Sequence, residues 1–229
     1  VSRILTGINK AIDSLFGKYQ KYHKHVMAYV LGTISVGFII LTALVVVFPR
    51  PFIDLEFSQE VQEHQTPLLD NLMKFVSWFG YFPGSAISVL SAALLFLYFK
   101  YRREALFILL TSLAGLLSAL LKILVNRARP TQPLVRIVQK VNEQSFPSGH
   151  VLFYIVFFGF LTVLMYDLKT IPRLIRITVS TISMVLIFIV PFSRIYLGAH
   201  WFTDVFGGFL LGVLSLYVLC FFYFRKFSK

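Results

Sequence analysis

Six stretches of this chain are long and apolar enough to cross a lipid bilayer, and that leaves few folds open. A helix needs about 20 mostly apolar residues to span the hydrocarbon layer. The runs are 26–48, 83–99, 105–125, 148–166, 174–192 and 201–224, dominated by Leu, Ile, Val and Phe. In lipid the backbone must satisfy its own hydrogen bonds, so such a run is a helix unless it belongs to a closed barrel. The alternation of polar and apolar residues that marks a barrel strand is absent. With 57% hydrophobic and only 14% charged residues in 229, a soluble fold would expose too much apolar surface. The expected architecture is all-α, a six-transmembrane helix bundle forming a single domain over residues 1–229.

The segments between the runs set the orientation. With the N-terminus inside, the inner segments hold 14 of the 22 basic residues and 3 of the 10 acids, leaving 8 and 7 outside. Excess Lys and Arg marks the cytoplasmic face, so both termini are expected there, in a plasma (inner) membrane. The net charge of +12 lies in short clusters between apolar runs, as expected for contact with anionic headgroups. No basic stripe interleaves with aromatics, which argues against nucleic acid as a partner. The first run follows a polar stretch and ends in Phe48-Pro49-Arg50-Pro51 rather than small residues, so it reads as an uncleaved anchor. Cys220 has no second cysteine to pair with and reads as a small apolar residue.

Two flanking segments carry weaker patterns. In 1–25, Ile4, Leu5, Ile8, Ile12, Leu15, Phe16 and Tyr19 recur at helical spacing, as in an amphipathic helix lying on the cytoplasmic leaflet. The extracytoplasmic loop, 49–82, mixes acids with Leu68, Leu69, Leu72, Met73 and Phe75, which suggests short extracytoplasmic helices between spans one and two. Trp78 and Tyr81 fall at headgroup depth. This loop reads either as a connector packed on the bundle or as a lid.

Charged residues beside membrane spans are functional candidates by default. Lys122, Arg127 and Arg129 close span three, Pro147-Ser148-Gly149-His150 opens span four, Ser193-Arg194 closes span five, and His200 and Asp204 open span six. All fall on one side of the membrane, a side fixed by hydropathy and charge before any motif was read. Each alone has a plainer explanation, since a Lys or Arg at a span end is usually a snorkelling anchor. Together, Lys122, Arg129 and Arg194 can surround one phosphoryl group, whose transfer depends largely on positioning and electrostatic stabilisation. Ser148 and Gly149 begin a helix whose free N–H groups seat an anion. His200 and Asp204, four apart, share a helix face, so the carboxylate can hold one ring nitrogen while the other attacks phosphorus. His150 can supply the proton for the leaving oxygen. His23, His25 and His64 read as ordinary surface residues.

Taken in order, Lys122-x6-Arg129-Pro130, Pro147-Ser148-Gly149-His150 and Ser193-Arg194-x5-His200-x3-Asp204 resemble the three-part signature of the type 2 phosphatidic acid phosphatase superfamily, complete at every position. The motifs lie within 122–204, and the N-terminal segment and the 49–82 loop fall outside the likeness. The resemblance implies phosphate binding by Lys122, Arg129, Ser148, Gly149 and Arg194. It makes His150 the general acid, His200 the nucleophile and Asp204 its orienting partner. It implies no cofactor and no metal, and a lipid phosphate substrate such as undecaprenyl pyrophosphate, phosphatidylglycerophosphate or phosphatidic acid. Two other readings are a lipid-phosphate phosphotransferase using the same histidine and a non-enzymatic lipid or anion transporter.

Overall fold

The computed structural model describes the backbone of residues 2–49 and 52–225, with side chains from His25 onward. The described residues form nine helices and no strand: α1 Ser2–Val47, α2 Phe52–Val61, α3 Pro67–Trp78, α4 Gly84–Tyr98, α5 Arg102–Leu110, α6 Leu113–Val125, α7 Gly149–Asp167, α8 Arg173–Tyr196 and α9 Phe202–Phe224. The side chains of 2–24, and with them the amphipathic face expected for residues 1–25, lie outside the described residues.

Five helical stretches have the length and apolarity of membrane spans: His25–Val47, Arg102–Val125, Gly149–Asp167, Arg173–Tyr196 and Phe202–Phe224. The chain is a multi-pass membrane protein. The remaining expected span, 83–99, forms α4, an apolar helix of only 15 residues. At 1.5 Å per residue it is about 22 Å long, shorter than a bilayer core. Its end coincides with the end of the apolar run. Lys100 turns to φ 67, and the amides of Lys100 and Tyr101 bond back to Leu97 and Phe96. This left-handed cap stops the helix and turns the chain directly into α5. By length and apolarity five stretches are full spans, and α4 covers the remaining apolar run as a shorter helix.

The Arg102–Val125 span is broken between α5 and α6. The amides of Thr111, Ser112, Ala114 and Gly115 each bond three residues back, and the Thr111 hydroxyl donates to the carbonyl of Ile108 at 2.6 Å. A hydroxyl bonded to its own helix bends it in this way. The 49–82 segment forms α2 and α3. Thr66 caps α3, its hydroxyl accepting from the Leu69 amide at 3.2 Å, and Pro67 occupies the first turn, where it forfeits no helical bond.

The middle of the bundle is α7. Thirteen of its 19 residues are buried, a run apolar on every side, as a helix enclosed by others requires. It packs against α6, α8 and α9. Because lipid tails are as apolar as Leu, close packing rather than escape from water holds such helices together. Gly208 and Gly212 make that possible along α9. A methyl on Gly212 would lie 2.9 Å from the Ile155 Cβ, and one on Gly208 would lie 2.6 Å from the Ser148 carbonyl oxygen. The helices meet closely enough for the Ser148 amide to donate to the Asp204 carbonyl at 2.9 Å. The end of α6, the start of α7, the end of α8 and the start of α9 thereby share one end of the bundle.

Candidate active site

At that shared end lies a cavity of about 320 Å3. Among the residues that line it are Lys122, Arg129, Gly149, His150, Arg194 and His200, joined by Tyr81, Ser118 and Glu143. Ser148 and Asp204 sit directly behind this lining and are fully buried. The structure thus gathers all eight residues singled out from the sequence into one locality. Ser193 is turned elsewhere, its hydroxyl bonded to Ser77 on α3 at 2.7 Å.

Local structure explains how each side chain is aimed. Gly198 adopts φ +66, and the turn it makes at the end of α8 lets the amides of Ala199 and His200 both bond to the Arg194 carbonyl. That places the His200 ring beside the end of α8. Arg194 carries its guanidinium inward at 0% exposure, 4.9 Å from the centre of the Tyr81 ring. The same ring stands edge-on to His150 at 4.1 Å. Ser148 is the N-cap of α7, yet its hydroxyl caps nothing. The first amides of α7 are left without helical acceptors, the usual seat for an anion.

The polar atoms without partners are the most informative. Seven buried side-chain N or O atoms among the described residues have none, and six belong to residues lining or adjoining this cavity. They are Tyr81 Oη, Ser118 Oγ, Ser148 Oγ, His150 Nε2 and Arg194 Nε and Nη1. Buried polar groups are normally bonded, and such a cluster of donors fits an oxygen-rich anion. Lys122 reaches Glu143 instead, at 2.6 Å. That contact holds the Glu143 carboxyl below its usual range.

His200 is nearly enclosed. Burial, together with the cations Arg129, Arg194 and Lys122, pushes its imidazole well below the usual histidine range, so the ring is neutral at neutral pH. Arg129 Nη1 lies 3.2 Å from His200 Nε2. A guanidinium can only donate, so Nε2 carries the lone pair and Nδ1 the proton. Nδ1 faces Ser145 Oγ at 3.5 Å and Asp204 Oδ2 at 3.6 Å. The expected ring-to-carboxylate hydrogen bond is therefore a longer, charge-range contact, because Oδ2 already accepts from Ser145 Oγ and, at 2.9 Å, from the Trp201 amide. Arg129 ties the region together, donating to the carbonyls of Glu143 at 2.5 Å, Gln144 at 3.2 Å and Ala199. Burial and the charge of Arg194 lower its guanidinium to about 10, and it stays charged at neutral pH.

Sequence reasoning gave no role to Asp54, Ser145 or Thr203, placed Tyr81 only at headgroup depth, and counted Arg127 among the rim cations without using it. For Arg127 the signal was its place two residues before Arg129. Asp54 had none that set it apart from the neighbouring loop acids. No group of three or more His, Cys, Asp or Glu side chains comes together among the described residues.

A family model described as the PAP2 superfamily matches residues 104–228. That is more than half of the chain, and it takes in every motif residue. The chain belongs to the PAP2 superfamily. An undecaprenyl-diphosphatase of Sulfolobus acidocaldarius is 30% identical over 163 residues, 69% of this chain and 73% of that protein. Phosphatidylglycerophosphatase B of Bacillus subtilis is 34% identical over 136 residues, 57% of this chain and 63% of that protein. Among solved structures, a transmembrane PAP2-type phosphatidylglycerolphosphate phosphatase from Bacillus subtilis superposes with a TM-score of 0.71 at 25% identity. The match covers 87% of this chain and all of that one. LpxE of Aquifex aeolicus shares the fold, with a TM-score of 0.60 at 24% identity over 76% of this chain and 98% of the other.

Proposed function

We propose that this PAP2 protein is an integral membrane lipid phosphatase that removes the terminal phosphate of a phospholipid or polyprenyl pyrophosphate through a phosphohistidine. Relatives named as phosphatases support a hydrolase acting on phosphate esters. The observation that carries the reading is the cluster of unpartnered donors around Lys122, Arg129 and Arg194 at the start of α7. It has the composition of a phosphoryl site and is lined by two histidines.

In this mechanism Lys122, Arg129, Arg194, the Ser148 hydroxyl and the amides at Gly149 and His150 hold the phosphoryl oxygens. His200 Nε2 attacks phosphorus, the bond to the lipid oxygen breaks, and His150 Nε2–H gives that oxygen its proton. Asp204 faces the positive charge that develops on the ring. Water then attacks the phosphohistidine, His150 takes back a proton, the P–N bond breaks and inorganic phosphate leaves. None of these steps calls on a metal.

The substrates we favour are undecaprenyl pyrophosphate and phosphatidylglycerophosphate, after the named activities of the two relatives. The charge distribution favours a site on the extracytoplasmic side of a plasma (inner) membrane, with cytoplasmic termini. The test uses the full chain purified in detergent and measures phosphate release from both lipids with EDTA present. Activity is expected to persist with chelator and to fall at least about 1,000-fold in His200→Ala. Loss of activity to EDTA, or an active His200→Ala protein, would overturn the mechanism. A phosphorylated acceptor in place of free phosphate would make the protein a transferase.

A further inference from the structure

Behind the phosphate cavity lies a second layer of charge. Asp54, in the first turn of α2, and Arg127, in the segment after α6, have side chains only 1% exposed, and neither lines the cavity. Arg127 Nη2 donates to Asp54 Oδ2 at 2.5 Å. Its Nη1 donates to Asp204 Oδ1 at 2.5 Å and to Thr203 Oγ1 at 2.7 Å, and its Nε donates to the Pro49 carbonyl at 3.1 Å. Asp54 closes the ring by accepting from the Thr203 amide and from the Thr203 hydroxyl, each at 2.8 Å. Every guanidinium nitrogen is occupied.

The charge balance of this group is the telling point. Two carboxylates share one guanidinium, so the buried set carries a net negative charge. Burying such an excess is unfavourable unless a positive charge stands beside it. Arg129, whose Nη1 lies 3.2 Å from His200 Nε2, is a fixed cation nearby, and the neighbour whose charge changes during the reaction is the His200 ring, whose Nδ1 lies 3.6 Å from Asp204 Oδ2. The resting ring is neutral. It becomes cationic when Nε2 bonds to phosphorus while Nδ1 keeps its proton. A group that favours the charged ring over the neutral one binds the reacting state more tightly than the resting state, which is what speeds a reaction. Without Asp54, Arg127 and Asp204 would form a neutral pair and offer the ring little.

We propose that Asp54 and Arg127 are positioning residues that act on His200 through Asp204. Arg127 fixes Oδ1 so that Oδ2 faces the ring, and Asp54 offsets the charge of Arg127 so that Asp204 meets the phosphohistidine as an effective anion. This rests on His200 being the nucleophile. It gives α2, which lies outside the matched family region, a part in the chemistry although Asp54 does not reach the cavity.

The experiment measures kcat and KM of the full chain for a short-chain phosphatidic acid across pH, for Asp54→Asn, Asp54→Glu and Arg127→Lys. Asp54→Asn is expected to lower kcat about 10–100-fold while KM stays within about twofold, and Asp54→Glu is expected to recover part of the loss. The acid limb of kcat/KM should move to lower pH, because removing a negative charge disfavours the charged ring. His200 is faced by Lys122 on α6, His150 on α7, Arg194 on α8, Asp204 on α9, and Arg129 and Glu143 in the connecting segment. None of these is altered, so the shift reports Asp54. If Asp54→Asn does not fold, Thr203→Val is measured instead: it keeps both charges and removes the hydroxyl that bridges them, so kcat should fall while the acid limb stays in place. Unchanged kcat and an unmoved acid limb in folded variants, or a loss confined to KM, would overturn the inference. An active His200→Ala protein would instead remove the mechanism on which it rests.

Discussion

The two ends of this bundle carry the same kinds of residue and treat them in opposite ways. At the cavity end Arg127 and Arg194 are withdrawn from solvent, Arg127 with every nitrogen bonded and Arg194 with Nε and Nη1 unpartnered. At the other end Arg103 and Lys169 are exposed and lie against ring faces. Arg103 sits 5.2 Å from the centre of Tyr223, and Lys169 sits 4.2 Å from that of Tyr166. Such contacts are worth about 0.5–1 kcal/mol at exposed sites and suit residues that anchor helix ends. The number of cations does not distinguish the two ends. What distinguishes the cavity end is that its charges are buried and that Arg194 keeps donor capacity unused.

The sharpest way to break this contrast is Arg194→Lys, which keeps the charge and removes the fork. Phosphate release should fall about 100-fold, and a loss below about threefold would show that the buried guanidinium is merely structural. Tyr81→Phe comes next. It keeps the ring over Arg194 and deletes the unpartnered hydroxyl, and KM should rise about fivefold if that hydroxyl meets substrate. Glu143→Gln sharpens the picture through pH. Lys122 holds this carboxyl low, so its contribution to stability is present above the ordinary glutamate range and is lost as pH falls through the depressed value. The variant should unfold at a slightly lower temperature than the parent at about pH 7, and the gap should close by about pH 3. Smallest of all, Lys169→Ala at the opposite end should leave activity within about twofold and stability within about 0.5 kcal/mol.

Much of the site could be read from the sequence because its residues lie at span ends, where hydropathy and spacing fix their depth. Lys122, Arg129, Ser148, Gly149, His150, Arg194, His200 and Asp204 all come to one locality. What escaped is what depends on partners distant along the chain. Asp54 looks like Glu56, Glu60 and Glu63 until α2 folds against α9 and Arg127 closes over it. The second apolar run, 83–99, was legible almost to the residue as α4, which ends where the run does, at the left-handed turn of Lys100. The break between α5 and α6 was hidden because Thr111 and Ser112 lie within a run that remains strongly apolar.

The seam between α7 and α9 has one more consequence. Gly208 and Gly212 bring the two backbones together, and the Ser148 amide bonds directly to the Asp204 carbonyl. The proposed phosphate cradle and the carboxylate beside the imidazole therefore sit on two directly bonded helices at the centre of the bundle. Bilayers of different thickness should act first on the outer helices, such as α1, of whose His25–Val47 stretch few residues are buried. Turnover should therefore tolerate changes in membrane composition, whereas a bulky side chain wedged into that seam would disable the enzyme without touching a reacting group.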